Sequence, residues 1–295
     1  MSQRSSRLAS PFKRIGGKAN LCDWIITHLP EHETYVEVFG GSAPVLLNKL
    51  RPKGQEVLND LDGLWVNTYT IVRDQGEELT QLIAATPYSR SEFQNARDSI
   101  KEWRQGQLDI PPLELARLHL VVMRQSFSAD ARSWSTTQHG GENRPRLWAH
   151  LGRAIERAIN RLQAVYLEQR DYRYILERYD HPRATFYLDP PYCGVEGLYY
   201  DVNRKDGFDH QALRDHVERL KGSVVISYYA HPDIEVLYAG WDIYSRMVTV
   251  HAGDNKRREK ELLIIRYSDY ARGRARRQIQ EFFDDDGRDL MSETA

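Results

Sequence analysis

The sequence predicts an α/β fold, a doubly wound sheet of seven strands whose order is interrupted by a helical stretch over residues 63–162. Three observations predict it. Seven short runs are almost continuously apolar, as in strands covered on both faces by helices. One of them runs into a glycine pair and then into a second apolar stretch, the local order of strand, turn and helix that places a ligand at a helix N-terminus. Between the second and third runs, apolar residues recur only at helical spacing.

Taken in order, Gly16-Gly17 permits a tight turn, and Leu21, Trp24, Ile25 and Leu29 then fall on one helical face that closes near Pro30. Residues 34–39 form the first strand, followed by Gly40-Gly41-Ser42 and a helix carrying Val45, Leu46 and Leu47. Residues 56–60 form a second strand with an acid at its end, about one βαβ unit on from the glycine pair. In the helical stretch, Leu64, Trp65, Thr68, Ile71 and Val72, then Leu113, Ala116, Leu120 and Met123, mark two faces. Leu147, Leu151, Ile155, Ala158, Ile159 and Leu162 mark the cleanest, read as one helix. A polar loop from Gln125 to Pro145 separates the last two, and a loop of that length is more often functional than idle. Strands resume at 164–167, 184–188 and 223–227, with a helix capped by Asp209 and stopped by Gly222 before the last of these. Residues 241–250 and 261–267 form a closing pair joined by a turn around Gly253-Asp254.

Composition suits a folded core: 41% of residues are hydrophobic and 28% charged. Cys22 and Cys193 are far apart and outside any ligand pattern, and the ten histidines make no Cys/His cluster, so a reducing, cytoplasmic setting and no metal are expected. No apolar run is long enough to span a bilayer, and Met1–Arg7 has no signal-peptide core. The net charge of −1 conceals segregation: +5 over residues 1–20, +5 over 117–161 and −5 over 281–295. Separated basic blocks can neutralise a polyanion although the whole chain is near neutral.

The most chemically loaded stretch is Phe186-Tyr187-Leu188-Asp189-Pro190-Pro191-Tyr192. The prolines end the strand, leaving a rigid loop with one carboxylate, exposed carbonyls and one flat ring. Such a loop can accept hydrogen bonds from an exocyclic amine and stack on the base that bears it. Asp189-Pro190-Pro191-Tyr192 resembles the catalytic motif of adenine-specific DNA methyltransferases, in the Dam-like (D12) class that carries its recognition region between the cofactor loop and that motif. Phe12–Lys18 is similar to the class's N-terminal Gly-Gly-Lys motif, with Arg14-Ile15 where an aromatic often stands. Residues 37–42 are similar to its cofactor loop, Asn59-Asp60 sits at its ribose-binding acid, and Ser227-Tyr228 and residues 261–264 look like its later strands.

The resemblance implies a Rossmann-like methyltransferase sheet with a helical target-recognition insertion, and S-adenosylmethionine as cofactor. It implies a catalytic domain of residues 1–62 and 163–270, a recognition domain of 63–162 and a charged tail of 271–295. Asp189 and the carbonyl of Pro190, buttressed by Pro191, would accept the amine hydrogens, and Tyr192 would stack on an extruded base, helped by Tyr199 and Tyr200. Gly17 and Lys18 would lie near the methionine carboxylate, and Glu37, Phe39, Gly40, Gly41, Ser42 and Asp189 would line the cofactor. Asp60 would take the ribose hydroxyls, and Asp171 either accepts the cofactor's adenine amine or caps a helix. Arg124, Ser126, Arg132, Arg144 and Arg146, around the polar loop, would meet DNA, and Lys256, Arg257, Arg258 and Lys260 are either a hairpin tip that touches phosphate or a solvated turn. Rival readings are amino-methylation of cytosine or of RNA adenine, and an inactive methyltransferase-like protein that only grips DNA. A nicotinamide dehydrogenase is disfavoured because Gly-x-Gly-x-x-Gly is absent.

Overall fold

The structure is a computed structural model and describes residues 11–12, 18–127, 131–136, 143–193, 207–252 and 255–273. Among them, β1 (Thr34–Glu37), β2 (Glu56–Asn59), β3 (Val165–Glu168), β4 (Ala184–Leu188), β5 (Ser223–Tyr229), β6 (Asp242–Ala252) and β7 (Asn255–Arg266) form one sheet. The strand order is β3-β2-β1-β4-β5-β7-β6. The first five strands run parallel, and β7 inserts antiparallel between β5 and β6. The order reverses between β1 and β4, so the loops leaving those strands flank the crevice where open α/β sheets bind ligands.

The two-residue period of a strand sorts the core into two layers. Tyr35, Leu58, Tyr187, Val225, Leu263 and Ile265 face one cluster, together with α1 (Cys22–Thr27) and α2 (Pro44–Asn48). Val36, Val57, Phe186, Val224, Ile226 and Ile264 face the other. That second layer is closed by α9 (Tyr172–Arg178), α10 (His210–Glu218) and α11 (Pro232–Leu237).

Between β2 and β3 run α3 (Gly63–Asp74), α4 (Gly76–Ala85), α5 (Arg90–Arg104), α6 (Pro112–Gln125), α7 (Arg144–Ala149) and α8 (Leu151–Leu162). Asp62, Ser89 and Asn143 cap α3, α5 and α7 through their side chains, and Asp209 caps α10 as its position predicts. The helices share one hydrophobic cluster with the first sheet face. A buried ion pair adds to the join: Arg161 of α8 grips Glu56 of β2 with two bonds of 2.5 and 2.7 Å, and Lys49 holds the same carboxylate at 2.9 Å.

Several expectations change. The stretch 147–162 is two helices, not one: the chain breaks at His150, and Trp148 turns inward to donate to the Thr86 carbonyl at 2.7 Å. β7 begins at Asn255 instead of 261, because its polar first half needs only β6 for a partner while the apolar second half also pairs with β5. α9 and α11 are short helices that apolar spacing did not isolate. The expected turns at Gly16-Gly17 and Gly253-Asp254 lie outside the described residues, as do Tyr199, Tyr200, most of the tail, and Gly17 as a cofactor contact.

Candidate active site

The sheet register builds the site. Glu37 lies opposite Tyr187, and the Val38 N–H donates to the Tyr187 carbonyl at 3.0 Å, so the loops after β1 and β4 leave the sheet side by side. In the first loop, Gly41 has a φ of 50° and Ala43 one of 44°, the latter a left-handed conformation that a side chain disfavours. Neighbours hold the turn. The Gly40 N–H donates to the Asn59 carbonyl at 2.7 Å, the Gly41 N–H to Asp60 Oδ2 at 2.8 Å, and the Tyr69 hydroxyl to the Gly41 carbonyl. Those two N–H groups therefore hold the turn against the end of β2. Phe39 is half-buried, with Tyr172 and Phe208 each 5.8 Å away between ring centroids, and Ser42 is buried.

Glu37 lies beneath this loop. It accepts from the Leu46 N–H at 2.8 Å and the Tyr35 hydroxyl at 3.0 Å, tying the end of β1 to α2. Burial pushes its carboxyl up to about 8, against the pull of those two bonds, with nearby Asp189 adding to the rise. Asp60 Oδ1 takes the Asp62 N–H at 2.9 Å, so this acid shapes the loops on both sides of it. Asp171 is the N-cap of α9, accepting from the Arg173 N–H at 3.0 Å, which matches its cap reading. Acids therefore end β2, β3 and β4 in turn along one rim. An acceptor-rich rim of this kind suits a cationic ligand that carries hydroxyl and amine donors.

The second loop starts at Asp189. Both close partners of its carboxylate meet Oδ1: Lys18 Nζ at 2.8 Å and Ser227 Oγ at 3.1 Å. Among the described residues this leaves Oδ2 as the oxygen for an incoming N–H, on a side chain that is 25% exposed. Lys18, only 4% exposed, pairs with Asp189. Pro190 is buried and Pro191 half-buried. Tyr192 is 1% exposed, its ring sits edge-on to Tyr229 at 4.5 Å, and its hydroxyl donates to Glu261 Oε1 at 2.6 Å.

Four contributors escape a linear reading. Asn59 staples three strand ends, donating to the Val38 and Arg170 carbonyls at 2.9 and 3.1 Å and accepting from the Arg170 N–H at 2.9 Å. Ser227, Tyr69 and Glu261 are the others. The likeness of Ser227-Tyr228 and residues 261–264 to later strands of the class marked Ser227 and Glu261 as strand residues, with no contact to the site assigned to either.

The expected DNA residues gather around the end of α6. Residues 125–127 pair with 133–135: the Ser135 N–H donates to the Gln125 carbonyl and the Phe127 N–H to that of Ser133, both at 2.7 Å. Ser126 is buried at this bridge, not presented to solvent. Arg132 and Arg146 are exposed, and Arg124 and Arg144 half-buried. Arg144 acts on the Tyr88 hydroxyl, which donates to the Ser135 carbonyl at 2.8 Å. Two cations from α5 join the group: Arg90 lies over the Trp134 ring at 4.8 Å, and Arg97 donates to the Arg132 carbonyl at 3.3 Å. Among the described residues no group of three or more His, Cys, Asp or Glu side chains could hold a metal ion.

A search among curated proteins returns no match. Residues 15–252 match the family model of the D12 class N6 adenine-specific DNA methyltransferases, a span that includes both loops and the helices between them. With its glycine loop and its Asp-Pro-Pro-Tyr loop side by side at the switch point, the chain belongs to the D12 class of N6 adenine-specific DNA methyltransferases.

Proposed function

We propose that Asp189 and the Pro190 carbonyl accept the two amino hydrogens of an adenine turned out of the duplex, next to a cofactor cleft based on residues 39–42. The observation that carries this reading is the Asp189 carboxylate itself. One oxygen is engaged by Lys18 and Ser227, the side chain is 25% exposed, and its strand pairs with the strand that leads into the glycine loop. S-adenosylmethionine, the cofactor the class implies, supplies an electrophilic methyl group when bound. The exocyclic nitrogen is a poor nucleophile because its lone pair is delocalised into the ring. Asp189 and Pro190, accepting its hydrogens, favour a more tetrahedral nitrogen whose lone pair can point at the methyl group. This is positioning and electrostatic stabilisation without a covalent intermediate. After transfer the nitrogen is acidic enough to lose its proton to water or to Asp189.

Asp60 is assigned to the ribose hydroxyls and Asp171 to the cofactor's adenine amine, each keeping the loop-shaping bonds described above. Tyr192 is assigned to the extruded base, which requires the ring to be uncovered when DNA binds. Two of Arg124, Arg132, Arg144 and Arg146 are assigned to DNA, as phosphate clamps or as bidentate readers of guanine. Asp189→Asn removes one acceptor while keeping the shape. Labelled-methyl transfer to unmethylated DNA is expected to fall by about two orders of magnitude or more, with cofactor affinity retained in equilibrium binding. Near-native transfer by that variant would remove the assignment.

A further inference from the structure

We propose that Glu261 is a positioning residue of the transfer reaction, holding the Asp-Pro-Pro-Tyr loop from β7 through Tyr192 and Lys18. The inference rests on the reading of Asp189 as the amine acceptor. Glu261 lies outside residues 15–252, the span of the family match. It opens the buried run of β7, opposite Tyr229 of β5, and is only 1% exposed. Its Oε1 accepts from the Tyr192 hydroxyl at 2.6 Å and lies 3.6 Å from Lys18 Nζ. The same ammonium is 2.8 Å from Asp189 Oδ1 and 4.6 Å from the centre of the Tyr192 ring. One lysine thus stands between two carboxylates and against one aromatic face, and both partners of Glu261 are residues of the motif loops.

Stability does not explain this acid. Replacing a buried ion pair with apolar groups of similar volume is often neutral or stabilising. Burial pushes the Glu261 carboxyl up, and Lys18 and Tyr192 pull it back down. A carboxylate held at that disadvantage is what functional sites retain. Its geometry supplies the role. The Tyr192 bond fixes the rotation of the ring assigned to the base, and the shared Lys18 fixes which oxygen of Asp189 is engaged. Ser227 completes the frame on the same Oδ1, and its hydroxyl lies 3.1 Å from that of Tyr187.

The experiment uses the full chain and unmethylated duplex DNA, with single-turnover methyl transfer, cofactor affinity, duplex affinity and thermal midpoint measured for each variant. Glu261→Met removes both acceptor and charge at similar volume. It is expected to slow single-turnover transfer by about tenfold or more while cofactor and duplex affinities hold. Glu261→Gln keeps an oxygen able to accept from Tyr192 and Lys18, and is expected to recover part of that rate. Tyr192→Phe removes one hydroxyl only; its rate should fall too, and the Glu261→Met/Tyr192→Phe pair should be slowed by less than the product of the single effects. A native rate in Glu261→Met overturns the proposal, as does a rate loss matched by equal losses of both affinities. If Glu261→Met fails to fold, Tyr192→Phe decides, and a native rate there overturns the proposal. Asp189→Asn run in parallel separates the two claims: transfer by it removes the reading of Asp189, whereas its inactivity beside a fully active Glu261→Met removes only the role of Glu261.

Discussion

Gly40 has no room for a side chain. A Cβ there would lie 2.8 Å from Leu58 Cδ1 and 2.9 Å from the Asn59 carbonyl, and a backbone atom cannot yield as a side chain can. Gly40→Ala is expected to cost about 1–3 kcal/mol of stability and to weaken cofactor binding, which thermal melts with and without S-adenosylmethionine will report. Glu37 makes a prediction of opposite character. Its carboxyl is raised from 4.5 to about 8 in the folded chain, so between those values the native state holds a proton that the unfolded chain has released. Stability from this group is complete below 4.5 and drains away as pH rises through about 8, with a slope of up to about 1.4 kcal/mol per pH unit. Glu37→Gln, which mimics the protonated acid, should flatten that slope in urea titrations across the interval and leave the variant more stable than the native chain at pH 8. At this scale the sequence shows which acids follow strands, because a strand end is a local pattern. It does not show that Glu37 and Glu261 are buried: Glu37 is tied to α2 through Leu46, and Glu261 meets Tyr192 and Lys18 from distant parts of the chain.

Elements were legible where they were long and periodic, and illegible where a distant contact set their limits. All seven strands were foreseen, and β6 and β7 were foreseen as a pair, but only β5 shows why β7 changes from polar to apolar partway along. The break between α7 and α8 follows from the Trp148 bond to Thr86, which spacing along one helix cannot reveal. The bond between Arg161 and Glu56 joins a helix to a strand across more than a hundred positions of sequence. Removing the arginine leaves Glu56 with Lys49 as its remaining cation. Arg161→Ala is therefore expected to cost about 3 kcal/mol, at the low end for breaking a buried pair, and denaturant titration will measure it. Glu56 opens β2 whereas the glycine turn is tied to Asn59 at its other end, which predicts a smaller change in cofactor affinity than in stability.

For the whole molecule, affinity for DNA should be carried by a local concentration of arginine on a chain of net charge −1. Arg132→Ala and Arg146→Ala should each lower the slope of log affinity against log salt by about 1 if that residue meets a phosphate. A variant that also relaxes the preferred DNA word would mark a reader of bases. The order of the motifs along the chain was legible as a family signature, but their convergence was not, since only the crossing from β1 to β4 makes neighbours of residues 39–42 and 189–192. The same topology has an evolutionary corollary. The helices α3–α8 leave after β2 and return at β3, an outer strand with one neighbour, so a lineage can trade α4–α7 for other material without rewiring the strands that carry the chemistry. α3 and α8 are poor currency for such trades: Tyr69 of the one props the glycine turn and Arg161 of the other clasps β2, so grafted segments should be spliced inside that pair of helices, not outside it.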